Sequence, residues 1–158
     1  MQTKSITLMV ILLCSMTIFG QSNVSDNKEA VRIFIEEVWN KRDFKKLEVI
    51  FSDSVVFHVH NITPVATRKS QAEEINKWHV AFPDFKYTIH QIIGEGDFVS
   101  VNLQYAGTHQ SYFLGIVPSY NRISASEMFF VRLKDTRIVE IWGVYDLYLM
   151  KEQMLKTK

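Results

Sequence analysis

Apolar side chains at Ala30, Ile33, Phe34, Val38 and Trp39 recur with helical spacing, while Glu29, Arg32, Glu36 and Lys41 fall on the opposite side. The pattern predicts a first helix, entered through the polar run Ser22 to Asn27 with Ser25 or Asp26 as its N-cap. A second, short helix is expected from Asp43 through Phe51, burying Phe44, Leu47 and Ile50 or Phe51. The period then changes: "SVVFHVH", β-branched and aromatic, reads as a strand. Helix returns from Arg68 to Ala81, capped by Thr67 or Ser70, and stops because Pro83 disfavours helix at Phe82. From there the signal is β. Residues 85–93 and 98–106 form two strands around "GEGD", whose two glycines would supply positive φ. Residues 122–133 and 137–146 form another pair around "KDT", and a helix from Leu147 to Leu155 closes the chain. Helices first and a long antiparallel meander afterwards define an α+β domain with its helices on one face of the sheet.

The N-terminus changes how much of the 158-residue chain belongs to that domain. Lys4 is followed by an uncharged apolar run from Ile6 to Phe19, shorter than the roughly 18 to 20 residues a spanning helix needs. Residues 1–20 therefore read as a signal peptide cleaved between Gly20 and Gln21. The alternatives are an uncleaved anchor and a lipoprotein, the latter meeting Leu13 instead of a small residue before Cys14. The expectation is a secreted or periplasmic protein comprising residues 21–158, enough for one core and too few for two. The one cysteine, Cys14, leaves with the leader, which excludes disulfides, thiolate metal sites and a cysteine nucleophile from the mature chain. Without Lys4 the charges balance at 17 basic and 17 acidic. No basic stripe argues for nucleic acid, and no basic amphipathic helix argues for a membrane surface.

Four segments in register carry a resemblance: "AFPDF", "EGDFVSVNLQYAGTH", "FLGIVPS" and "RIVEIWGVYDL". In order and spacing the chain resembles the SnoaL-like polyketide cyclases, within the wider fold named after nuclear transport factor 2. The resemblance implies a curved antiparallel sheet wrapped on N-terminal helices into a cone. The cone's open end would take a small, largely apolar, carbonyl-type molecule without a cofactor. Family members are often dimers, which implies a homodimer here. Departures are specific. Ser111, Val117 and Tyr120 stand where the family's loop has glycine, proline and glycine, so a different ligand is expected. The Asp that the resemblance would place after Trp142, as general acid/base, is Gly143, and its cross-strand neighbour, often Asp or His, is Phe129.

The chemistry must then come from elsewhere. Glu127 interrupts "ISASEMFFVRL" on the row shared with Ala125, Phe129, Val131 and Leu133. A carboxylate there either meets a partner or has its pKa pushed toward neutrality, as suits a general base. The alternative is a row facing solvent or a dimer interface. On the last strand Glu140, Trp142, Val144 and Asp146 share one face, and Val139, Ile141, Gly143 and Tyr145 the other; a bulge at the "KDT" turn would swap them. Asp146 with Trp142 is the acid/base pairing if the first set faces inward. His109 either hydrogen-bonds a ligand or ties its own loop. His58 and His60 share a strand face, but no third ligand stands at a metal-binding spacing. His79 reads as a helix-surface residue and His90 as solvated. Catalytic candidates are thus Glu127, Asp146 and His109; His58, Trp78, Tyr105, Phe113, Phe129 and Trp142 are candidates for the ligand wall. The function classes are a cyclase-, isomerase- or hydratase-like enzyme, a small-ligand binder, and a dimerisation or interaction module.

Overall fold

In the computed structural model, which describes residues 24–59 and 63–157, helix α1 (Val24–Ile33) runs into a π-helical turn (Phe34–Trp39). The leader, Ser22, Asn23 and His60 lie outside the described residues. The second predicted helix is shorter than expected: a 3-10 turn (Phe44–Lys46) leads into α2 (Leu47–Ile50), and Phe51 already has extended backbone. Strands β1 (Phe51–His58) and β2 (Val65–Thr67) precede α3 (Arg68–Ala81). Thr67 caps α3 in a capping box with Ser70, whose side chain returns a bond to the Thr67 backbone, so both candidate caps take part. The chain then runs through β3 (Lys86–Glu95), β4 (Phe98–Thr108), β5 (Arg122–Lys134) and β6 (Arg137–Tyr145), ending in α4 (Leu147–Leu155).

The six strands make one curved, open sheet in the order β2-β1-β6-β5-β4-β3. β3 to β6 form the expected meander, and β1 joins β6 in parallel. Alternation along β5 turns Ile123, Ala125, Glu127, Phe129, Val131 and Leu133 inward. These residues and the inner row of β4 (Val99, Val101, Leu103, Tyr105) build one core with Val31, Phe34, Ile35 and Val38 from the helices. No helix among the described residues is long and apolar enough to cross a membrane.

Only one glycine of "GEGD" serves the turn. Gly96 has φ +53°, whereas Gly94 lies within β3, where a Cβ would come to 2.8 Å from Val24 Cγ1 of α1. Gly94 is there for close approach, Gly96 for its backbone. At "KDT" the positive φ falls on Asp135 and Thr136 instead. The register there slips as well: Arg132 pairs with Glu140 but Leu133 with Ile138, leaving Val139 as an extra residue on β6. This bulge brings Ile138, Ile141 and Gly143 all to the inner face.

Candidate functional site

A cavity of about 410 Å³ lies between α3 and the inner face of the sheet. Gln71, Glu74 and Trp78, three and four residues apart, put one face of α3 over it. Phe57 comes from β1 and Val59 from just past its end, Val65 and Ala66 from β2, and Trp39 from the π-helical turn. Beneath them lie Glu127 and Phe129 of β5, Ile141, Gly143 and Tyr145 of β6, and Tyr87 of β3.

Glu127 is the one carboxylate on the inner row of β5, and it is 6% exposed. Tyr87 donates its hydroxyl to Glu127 Oε2 at 2.8 Å. Burial pushes the carboxyl pKa up to about 7, against the opposing effect of the Tyr87 hydrogen bond. Among the described residues no ion pair joins Glu127 to a basic side chain. The same burial, then the nearby carboxylate, raises the pKa of Tyr87 well above the usual phenol range, and that of Tyr145, the cross-strand partner of Glu127, less so. The cavity floor thus offers a carboxyl able to exist in both charge states near neutral pH, with phenols beside it that stay protonated.

Local bonds hold the surrounding rings. Asn40, just past the π-helical turn, pairs its side-chain amide with the Tyr87 backbone, giving to the carbonyl at 2.9 Å and accepting from the N–H at 2.8 Å. It imitates a neighbouring strand on the open edge of β3 and fixes Tyr87 beside Trp39. His79 is buried, not on the helix surface as its sequence position suggests. Its Nε2 lies 2.8 Å from the Trp39 carbonyl, which can only accept, so Nε2 carries the proton and donates. Burial lowers the His79 pKa despite that bond.

Of the residues singled out in the sequence, Glu127, Trp78 and Phe129 meet at the cavity. Tyr105 is wholly buried on β4 behind the lining, its ring 6.4 Å from Tyr87 and 6.5 Å from Trp78, and its hydroxyl has no hydrogen-bond partner among the described residues. Phe113 reaches the cavity only through Trp78, 4.9 Å away between ring centres. The other four lie elsewhere. His58 and Trp142 stack on the outer face of the sheet at 4.6 Å and 5°, because the Val139 bulge turns Ile141, Gly143 and Tyr145 inward. There His58 Nε2 sits 3.7 Å from Glu140, which Arg132 holds at 2.6 Å. Asp146 has left the strand and caps α4, accepting from the Leu149 N–H at 2.8 Å. His109 ties its own loop: its Nδ1 accepts the Ser119 N–H at 3.3 Å, its backbone pairs with Asn121 and Tyr120, and its ring packs on Phe82. Burial lowers its pKa. Sequence reasoning missed Trp39 and Tyr87 as lining residues. Tyr87 could have been found, since it alternates with Phe85 at the start of a predicted strand.

The sequence pattern of the SnoaL-like polyketide cyclases matches residues 29–154, and the chain belongs to that family. Its fold is the nuclear transport factor 2-like one. Solved structures agree in fold. AclR, a candidate hydroxylase from Streptomyces galilaeus, is 21% identical with a TM-score of 0.73, covering 86% of this chain and all (100%) of that one. IdmH, a candidate polyketide cyclase from Streptomyces antibioticus, is 24% identical with a TM-score of 0.70 over 80% of this chain and 96% of its own. A candidate SnoaL-like polyketide cyclase from Jannaschia sp. CCS1 is 20% identical with a TM-score of 0.75, covering 85% and 94%. A search of curated proteins finds no match.

Gly143, where the family resemblance would place an acid/base Asp, forms part of the cavity floor. A Cβ there would meet Val59 and Phe129 at 3.4 to 3.5 Å, ordinary van der Waals contact. A larger side chain is therefore not excluded at its root, and glycine leaves that space to the cavity.

Proposed function

We propose that the cavity holds a small, largely apolar carbonyl compound and that Glu127 transfers protons to or from it, in a cyclase-, isomerase- or hydratase-like reaction. The observation that carries this reading is the buried Glu127 carboxyl on the cavity floor, hydrogen-bonded by Tyr87. With a pKa of about 7 it can take a proton and return it at neutral pH. Oε2 receives the Tyr87 hydroxyl, and among the described residues no hydrogen bond engages Oε1, the oxygen we assign to the substrate. Tyr145, across from Glu127 on β6, is the group we assign to the substrate oxygen. In this reading the protein is exported through its first twenty residues and works as a homodimer.

Gly143 favours a second reading, a binding module that uses the same cavity without chemistry. Solvent-deuterium exchange α to the carbonyl of a panel of small apolar ketones, followed by NMR, separates the two. An enzyme should accelerate exchange, and Glu127→Gln should lower the rate by about two orders of magnitude or more. Ketones that bind, yet exchange no faster than in buffer across pH 5 to 9, would establish the binder.

A further inference from the structure

We propose that the cavity is built to accept an organic cation, an apolar molecule carrying a quaternary or protonated tertiary nitrogen, with Glu127 as its counter-ion inside an aromatic box. This rests on the same cavity being the ligand site and concerns the charge of what enters it.

Four aromatic rings that pack edge to face contribute to the cavity wall. Trp39 meets Tyr87 at 83° and Trp78 at 75°, with centres 5.3 and 6.3 Å apart. Tyr87 in turn meets Phe129 at 68° and 6.0 Å. Rings set nearly perpendicular form adjoining walls, and all four line the cavity. The negative face of an aromatic ring attracts a cation, most strongly in tryptophan and more so when water is excluded.

The second feature is the unmatched charge. A buried carboxylate ordinarily has a cation or several donors to offset its lost hydration. Among the described residues Glu127 has one phenol. Among the described residues the groups facing it from the neighbouring strands add no positive charge: Tyr87 of β3, Tyr105 of β4 and Tyr145 of β6 are neutral phenols. On α3 the lining Lys77 is held by Glu74 at 3.2 Å, and the lining Glu73 faces Lys69 at 4.0 Å, so no cation of α3 is left for Glu127 among these pairs. An entering ammonium would supply a counter-charge that the described residues do not place beside Glu127.

The test compares phenyltrimethylammonium with its neutral isostere tert-butylbenzene, by calorimetry and tryptophan emission, at pH 6 and pH 8. At pH 8 the cation should bind at least ten times more tightly than the isostere. Because Glu127 titrates near pH 7, its ionised fraction falls about tenfold between pH 8 and pH 6, and the cation's affinity should fall with it while the isostere's stays level. In Glu127→Gln the preference and its pH dependence should both vanish. Equal binding of the two probes in the wild-type protein at pH 8 would overturn the cation proposal and leave the carbonyl reading standing. Binding of neither would overturn the cavity as a ligand site, and both readings with it. The wild-type pH comparison decides the matter even if the Gln variant fails to fold.

Discussion

Replacing Glu127 with Gln should make the protein more stable at pH 8 and leave it unchanged at pH 4. The reasoning starts from a carboxyl whose pKa is 4.5 when unfolded and about 7 in the folded chain, raised by burial. The folded state then holds its proton more tightly than the unfolded state. Stability from this group is complete below pH 4.5 and drains away as pH rises through the folded value near 7. At 1.36 kcal/mol per pH unit the loss amounts to about 3 kcal/mol by pH 8, a large share of the ~5 to 15 kcal/mol that holds a domain together. Gln keeps the volume and an oxygen for the Tyr87 hydroxyl but has no proton to lose. Urea denaturation at pH 4, 5.5, 7 and 8.5 should therefore give curves that coincide at the acid end and diverge by about 3 kcal/mol at the alkaline end, with Gln above. Parallel profiles would mean that Glu127 titrates normally. A variant less stable than wild type at pH 8 would mean that the carboxylate has a cationic partner, since breaking a buried pair costs several kcal/mol.

Three further substitutions probe the surroundings. Tyr87→Phe removes a hydrogen bond that favours the ionised carboxyl, so Glu127 should titrate about one pH unit higher, read by carbon-detected NMR. Asp146→Ala should cost about 1 kcal/mol through loss of the α4 cap, yet leave probe binding in the cavity unchanged, as judged by melting and by tryptophan emission. Gly107→Ala would set a Cβ 2.9 Å from Phe82 Cβ and 3.4 Å from Phe85 Cα. Neither atom is at the end of a flexible side chain, so urea unfolding should show a loss of about 1 to 3 kcal/mol.

Much of this fold was legible because its elements carry clean periods. The alternation around Glu127 was read on the right row, and Thr67 and Ser70, Pro83 and Leu147 marked the ends of helices that the structure contains. What escaped had physical reasons of three kinds. The π-helical turn at Phe34–Trp39 breaks the 3.6 period, so a heptad-like count could find the helix but not what Trp39 faces. Tyr87 looked like an ordinary strand aromatic, since the Asn40 side chain that fixes it comes from 47 residues away. The third reason had the largest consequence for the site. One extra residue, Val139, decides which face of β6 meets the cavity, and no local propensity distinguishes a bulge there from continuous pairing. With the bulge, Trp142 goes outward to His58, Asp146 goes to a helix cap, and the cavity receives Gly143 and Tyr145. The inward position where the resemblance would place an acid is glycine, and the carboxylate on the neighbouring strand, two residues along from Phe129, is the one on the cavity floor. On the reading proposed here, a ligand that enters this cavity meets Glu127, whatever fills the corresponding space in relatives.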